Sequence, residues 1–568
     1  MKPTPQAKPQ TYDAIVVGSG ITGGWAAKEL AERGLSTLVL ERGRYVEHAK
    51  DYTTEHTPAW EFHFRGHGDR KLYEAEYSVQ SQCYAFGEAT RQFFVNDKEN
   101  PYQHDADKPF SWIRGYHLGG RSLMWGRQCY RWSDLDFEAN ARDGFGVDWP
   151  IRYQDIAPWY DYVETFVGIS GQTERIPQLP DGKFLPPMEM NCAERAVKEH
   201  IDKNFPDRIM TIGRVAVLTR EHNGRAECHF CGPCERGCST GSYFCSLSAT
   251  LPAAQATGKL TIRANSIVHS VIYDEKKDKA VGVRVIDTKT NKSLEFYGRV
   301  IFLCASTLGS TQILLHSSTP RFSNGLANSS GALGHYLMDH TYQIGAYGEM
   351  PGFEHEYYHG YRPNGIYIAR FRNVKDQHPD YVRGFAYQGG ALRTGWERGV
   401  STPGLGVEFK RALREPGPWR MRLSGFGECL PRYENYVELD RSKTDKWGIP
   451  QLKIHCTWGE NEKKMRGDIA GCAAEMLEAA GVKNVETFNN TDAPPGLCIH
   501  ELGTARMGRE PKTSVLNAYC QAHDVPNLFV TDGAAMASSA CQNPSITYMA
   551  LTARACDYAV KEMKRGNL

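Results

Sequence analysis

The chain has 568 residues, 23% of them charged, and a formal net charge of +1, long enough to bury a large core in two or more structural regions. Near-neutrality removes the electrostatic case for nucleic acid or an anionic membrane surface as partner, and no run of about 18 uninterrupted apolar residues exists to cross a bilayer. Eleven Trp and 29 Tyr suit a protein that offers rings to a polyol or sugar, and equally suit core packing.

The start, MKPTPQAKPQTYDAIVVGSG, has no arginine pair and leads from its first apolar run straight into a glycine turn. It therefore does not read as a cleaved signal, and its first ten residues read as a frayed arm. The expectation is a soluble chain made in the cytoplasm, with export of the folded protein to the periplasm beside a signal-bearing partner left open. Synthesis in a reducing compartment makes most of the 16 cysteines buried free thiols.

Residues 13–17, DAIVV, read as a short buried strand, followed by Gly18, Gly20 and Gly23 at GxGxxG spacing and an alanine-rich helix, WAAKELAERG. The first glycine makes the turn, the second lets backbone amides approach a pyrophosphate, and the third lets the helix lie close on the strand. STLVLERG is a second strand ending at Glu41, an acid about 20 residues past the glycines and placed to accept both hydroxyls of a ribose. Strand, glycines, helix, strand and acid in that order define a dinucleotide site. Whether the nucleotide is FAD or NAD is not set by these residues.

Residues 51–109 and 345–490 carry alternating, strand-like runs without a nucleotide signal. Within them PAWEFHFRG (58–66) and HEYYHGY (355–361) are aromatic enough to line a sugar pocket, and are equally suited to surface strands or core. A second glycine cluster, GYHLGGRSLMWG, spans residues 115–126. The sequence holds no internal repeat.

Cys228, Cys231, Cys234 and Cys238 crowd into AECHFCGPCERGC with gaps of two, two and three residues, the gaps of the bacterial ferredoxin run. Gly232 and Gly237 lie between them, where the chain must turn with positive φ and bring amides close to sulfide. The leading expectation is an iron–sulfur cluster, 3Fe-4S or 4Fe-4S, acting as an electron relay. A zinc knuckle, which usually spreads two CxxC pairs about a longer loop, and a metal-free turn stand as alternatives. Ser239 occupies the place of the ferredoxin proline, and Cys245 is a candidate fifth ligand.

Further on, VIFLCASTLGSTQILLHS gives a strand over 300–304, a small-residue turn and a helix. NLFVTDGAAMASSACQNPSITYMALTARACDYAV runs from a strand reaching Asp532 through a small-residue loop into a long helix. Before it comes HELGTARMG, opened by His500, one of 19 histidines; a lone histidine is more often a structural hydrogen-bonder than a base. Asn543, with Pro544 behind it, reads as the N-cap of the last helix.

In order and content these segments, with GHYLMDH at 334–340 and DKWGIPQLKI at 445–454, resemble the glucose–methanol–choline (GMC) family of FAD oxidoreductases over nearly the whole chain. The resemblance implies an interrupted α/β architecture. A Rossmann-like FAD-binding domain would come from 11–50, 110–132, 212–344 and 491–568, with a cysteine-rich iron–sulfur insertion at 226–246. A substrate domain on an antiparallel sheet would come from 51–109, 133–211 and 345–490. It also implies FAD contacts from Arg42, Gly119, Gly120, Ser122, Trp125, Val268, Ala305, Asp532 and Asn543, besides the fingerprint residues.

His500 and Asn543 fall on the family's catalytic positions. Imidazole titrates near neutrality and can take a hydroxyl proton while the carbon-bound hydrogen passes to flavin; an amide cannot be the base but can hold the same oxygen as charge develops. Relatives that tether flavin covalently carry a histidine where this chain has Met124, and His117 lies before the GG pair, so non-covalent FAD is expected.

Among family members the chain most resembles cluster-containing bacterial sugar dehydrogenases, with glucoside 3-dehydrogenase catalytic subunits best matching CGPCERGCSTG. That likeness implies oxidation of a glucoside C3 hydroxyl to a 3-keto sugar, a small accessory subunit and a cytochrome c acceptor. Flavin collects two electrons together and a cluster passes them singly, so the cysteine run reads as an electron exit. Two other readings stand beside it: an oxygen-using pyranose or polyol oxidase with a structural ion, and a non-catalytic electron-transfer flavoprotein in which His500 and Asn543 are unneeded.

Overall fold

Thr11–Val17, the fingerprint strand, lies inside a parallel block in the computed structural model, which describes residues 11–357, 360–400 and 402–568. The expected N-terminal arm lies outside the described residues, as does the centre of the 355–361 run. The strand pairs with Thr37–Leu40 on one side and Ser293–Leu303 on the other, and Leu260–Arg263 extends the block past Thr37–Leu40. All four residues of Thr37–Leu40 are buried, as a parallel strand covered on both faces requires.

Ser293–Leu303 forks. Its first half pairs antiparallel with Lys279–Asp287, which continues to Ser266–Asp274, and its last residues pair parallel with Leu528–Val530. Asn527 closes the gap: its amide oxygen accepts from the Ala280 N–H at 3.0 Å and its nitrogen donates to the carbonyls of Ala280 and Arg299 at 2.6 and 2.7 Å. One side chain thus pairs backbone groups that the diverging strands leave behind.

Helix Ile21–Glu32 packs against the C-terminal helix Ser545–Arg565, and that helix packs against Tyr153–Val167. Trp25, fully buried, meets Tyr162 and Phe166 edge-on at 5.9 and 5.2 Å. Residues 132–169, expected from Ser133 onward with the substrate domain, therefore join the nucleotide-side core through Trp132, Phe137, Trp149 and Tyr160. The reason is helical spacing: Ile156, Tyr160, Val163 and Val167 form one buried stripe that faces the C-terminal helix.

Residues 51–109 also depart from expectation. Instead of strands they form short 3₁₀ turns, the helix Arg70–Glu76 and only the two-residue strand Gln103–His104. Tyr52, Cys83, Phe93 and Phe94 anchor this coil in the nucleotide-side core. Buried Gln80 substitutes for a sheet ladder, donating to Asp97 and the Trp112 carbonyl and accepting from the Arg114 N–H.

The second unit matches the expected antiparallel sheet. Its six strands run in the order Lys483–Asn489, Ile344–Met350, Trp419–Gly427, Phe385–Arg393, Ile366–Ile368 and Met210–Ile212. Strict alternation of buried residues along Trp419–Gly427 gives the sheet one apolar face, covered by helix Glu460–Ala479 with Cys192–Asn204 beside it. Among the described residues, no helix is long and apolar enough to cross a membrane. Of the twelve cysteines outside the 228–238 run, eleven are buried and Cys192 is partly so, all as free thiols.

Candidate active site

A cavity of about 460 Å³ opens where the carboxyl ends of the parallel strands meet the antiparallel sheet. Gly18 turns there with φ of 97°, and a Cβ on it would sit 2.4 Å from the Cys304 carbonyl oxygen, a position only glycine fills. A Cβ on Gly23 would meet the Gly18 oxygen at 2.1 Å, whereas one on Gly20 would find nothing within 4 Å. Gly20 lines the cavity and opens helix Ile21–Glu32 without a side-chain cap, leaving the first amides of the helix for an anion.

Glu41 is buried at the end of its strand, accepting from Ser19 Oγ at 2.5 Å and from the Gly43 N–H at 2.8 Å. Burial raises its pKa, against the opposing pull of those bonds and of Arg42. Arg42 stacks over Tyr116 at 4.5 Å. The second glycine turn closes on the first: the Gly119 N–H donates to Ser19 Oγ at 3.0 Å, and Ser122 Oγ accepts from the Ser246 N–H at 3.1 Å. Gly120, Ser122, Trp125, Val268, Ala305 and Asp532 all face the same cavity. Burial pushes Asp532 up to about 6 while bonds from Ser310 and Ala534 oppose it. Of the residues expected to contact the cofactor, only Gly23 and Gly119 stand behind the wall, each acting on the turn. Free helix amides, a cradle a Cβ would fill and a buried acid at the end of the second strand fit a bound dinucleotide.

At the other end His500 and Asn543 meet, Asn543 Nδ2 donating to His500 Nε2 at 3.2 Å. Asn543 does not cap the last helix; Pro544 holds the N-cap position and Ser545 begins the helix. Its side chain is spent across the site instead, with Oδ1 accepting from Gln388 Nε2 at 2.5 Å. His340 Nδ1 lies 2.9 Å from His500 Nδ1, and His340 Nε2 lies 2.9 Å from the Ala540 carbonyl oxygen. Asp339 holds the segment in place by accepting from the backbone N–H groups of Gly496, Cys498 and His500 at 2.7, 3.2 and 3.1 Å. Burial, then the charge of Glu501, pushes Asp339 up to about 7. Burial first, then His340 and Arg121, hold the His500 pKa well below 6.5.

His340, Asp339 and Gln388 carry no distinguishing sequence signal except that GHYLMDH stood out as a block. Among the described residues, His340, Cys498 and His500 are the one trio of metal-ligand atoms within 4.8 Å of one another. Those atoms are committed to each other, and burial keeps the Cys498 thiol protonated.

The cysteine turn lies beside this cavity. Arg127 lines the cavity and donates to the Cys234 carbonyl at 3.0 Å, with Glu235 at 3.4 Å. Gly232 and Gly237 have φ of 102° and 101°, as the turn was expected to need. The Phe230 N–H points at Cys228 Sγ from 3.4 Å. Cys231 is exposed and its three partners are partly buried. Cys245 faces Tyr52 and Ser248 instead. The aromatic run 58–66 does not reach the cavity; Trp60 and Phe64 are 75% and 55% exposed.

A nucleotide fingerprint, an interrupted parallel sheet and a histidine–amide pair facing the same cavity define a dinucleotide-dependent oxidoreductase. Profiles of the N- and C-terminal parts of GMC oxidoreductases match residues 12–342 and 431–552, and the chain belongs to that family of FAD-binding enzymes acting on CH–OH donors. It is 28% identical to 2-methyl-1,2-propanediol dehydrogenase of Mycolicibacterium austroafricanum, over 96% of this chain and 94% of that one. It is 23% identical to the fructose dehydrogenase large subunit of Gluconobacter japonicus, over 98% of each. Among solved structures, pyridoxine 4-oxidase from Mesorbium loti superposes with a TM-score of 0.60 at 16% identity, covering 96% of this chain and 98% of that one.

Proposed function

We propose that the protein is an FAD-dependent dehydrogenase that oxidises a secondary hydroxyl of a sugar or glycoside, with C3 of a glucoside the favoured position. The observation that carries this reading is the His500–Asn543 pair, 3.2 Å apart at the wall of the fingerprint cavity. FAD supplies the two-electron hydride acceptor. His500 Nε2 takes the hydroxyl proton, and Asn543 Nδ2 orients the same oxygen as it becomes an alkoxide. Gln128, Gln388, Tyr342 and Phe426 line the rest of this end, a mixture of amides and rings suited to a polyhydroxylated ring. Relatives named for fructose and gluconate support the carbohydrate class.

FAD is held without a covalent bond: Met124 faces the cavity, while His117 is buried away from it with Nδ1 spent on the Leu118 carbonyl at 3.0 Å. Cys228, Cys231, Cys234 and Cys238 bind an iron–sulfur cluster that passes electrons singly to a cytochrome, with a small accessory subunit beside it. A single zinc ion would bring thiolates to about 3.8 Å of one another, given Zn–S bonds of about 2.3 Å. The four thiols of the run, at gaps of two, two and three residues, follow instead the spacing of a ferredoxin cluster segment.

Anaerobic mixing of the holoenzyme with methyl glucoside and simple polyols tests the reading. Bleaching of the flavin band by the glucoside is expected, with reoxidation by cytochrome c faster than by oxygen. A flavin left oxidised by every sugar and polyol would contradict it, and stoichiometric peroxide on aeration would favour an oxidase.

A further inference from the structure

We infer that His340 is a positioning residue that decides which nitrogen of His500 is free to act as base. The inference rests on the proposed role of His500 and adds the source of its orientation: a chain of hydrogen bonds whose direction is set by a backbone carbonyl at one end. The Ala540 carbonyl can only accept, so His340 Nε2, 2.9 Å away, carries a proton. His340 is fully buried, and burial brings its pKa down to about 4. The ring is therefore neutral at physiological pH, and its Nδ1 is an acceptor. His500 Nδ1, 2.9 Å from it, must then be the donor. That assignment leaves Nε2 of neutral His500 unprotonated.

The amide pair at the other end follows that order, since either amide can turn over to match it. Gln388 Nε2 donates to Asn543 Oδ1 at 2.5 Å, which turns the Asn543 nitrogen toward His500 Nε2 at 3.2 Å. A nitrogen that accepts from an amide is the unprotonated one. The charged neighbours do not reverse the order. Asp339 spends its oxygens on backbone N–H groups, and Glu501 is held by Arg121 at 3.0 Å. Cys498 Sγ, 3.3 Å from His500 Nδ1, is a neutral thiol and a weak acceptor. Neutral histidine in water favours the form with its proton on Nε2, so without a partner at Nδ1 the ring would present a donor to the substrate instead of a base. When Nε2 takes the hydroxyl proton, Nδ1–H stays in place and still donates to His340.

The test compares holoenzymes of wild type, His340→Gln, His340→Leu and His500→Asn. A glutamine amide can accept from His500 Nδ1–H and donate to Ala540; leucine has similar bulk and can do neither. Nitrogen-15 NMR of histidine-labelled protein, with the His500 signals assigned by their loss in His500→Asn, reads which ring nitrogen carries the proton. Stopped-flow absorbance reads flavin reduction at saturating substrate, with flavin content and melting temperature recorded for each variant.

Wild type and His340→Gln are expected to hold the proton on Nδ1 and to reduce flavin at similar rates. His340→Leu should shift it to Nε2 and slow reduction by about 10–100-fold, the size of loss seen when a partner that orients a metal-bound imidazole is removed. A proton on Nε2 in wild type overturns the inference whatever the variants do, as does a His340→Gln enzyme slowed as much as His340→Leu. If His500→Asn is inactive and folded His340→Leu is unimpaired, only the role of His340 falls. If His500→Asn reduces flavin normally, the base assignment itself falls.

Discussion

Burial gives His500 a property that an exposed histidine lacks. Removing the ring from water disfavours its charged form, and the positive charge of Arg121 adds to the effect. Its pKa lies below the ordinary 6.5, so the neutral, proton-accepting form persists as pH falls through 6.5. Flavin reduction at saturating substrate should therefore hold its rate from neutrality to well under pH 6.5 and decline only beyond that. A decline centred at 6.5 or above in the stopped-flow pH profile would show that the ring is solvated or paired with a carboxylate. The sequence could nominate His500 and Asn543 because HELGTARMG and QNPSIT resemble the family's catalytic motifs. It could not nominate His340 or Gln388, which meet their partners across 160 and 155 residues; such pairings become visible only when two sheets close on one another.

At the scale of elements, the strand–turn–helix at the N-terminus was the most legible part of the chain, since every glycine there answers a local geometric demand. Two of them should separate by experiment. Gly23→Ala drives a Cβ to 2.1 Å from a backbone oxygen and should lower the melting temperature of apoprotein and holoenzyme alike. Gly20→Ala finds no protein atom within 4 Å, so the apoprotein should melt normally while flavin binds more weakly, measured by titration of the stripped protein. Equal loss of stability in both would remove the distinction between a packing glycine and a cofactor glycine.

The fork at Ser293–Leu303 makes a further prediction. Asn527→Leu leaves the Ala280 N–H and two carbonyls without their partner. It should cost on the order of 3 kcal/mol, read as a lowered unfolding midpoint with flavin contacts intact. Residues 51–109 differ from the strand-like expectation because their alternating apolar side chains anchor a coil whose backbone is satisfied by turns and by Gln80. The helix Tyr153–Val167 carries a buried stripe whose spacing shows that it packs and not what it packs on.

Across the whole molecule, the site exists only between the two units. The parallel block brings the nucleotide cradle and the His500–Asn543 pair, and the antiparallel sheet brings Gln388 and Phe426 to the opposite wall. The cysteine turn touches that cavity through Arg127, so the electron exit proposed for it would start beside the flavin site. Iron and acid-labile sulfide should therefore be found with the flavin. Cys234→Ser should spare flavin reduction by substrate and slow its reoxidation by cytochrome c, followed in the same stopped-flow trace. Zinc without sulfide, or unchanged reoxidation, would remove the relay and leave the oxidase reading.

The proton-accepting role of His500 is tested most directly by the rate of flavin reduction at saturating substrate in the His500→Asn holoenzyme. With FAD bound at the wild-type ratio, that rate should fall by about 10²–10⁴-fold, the range general-base catalysis supplies. Reduction at the wild-type rate would contradict the assignment.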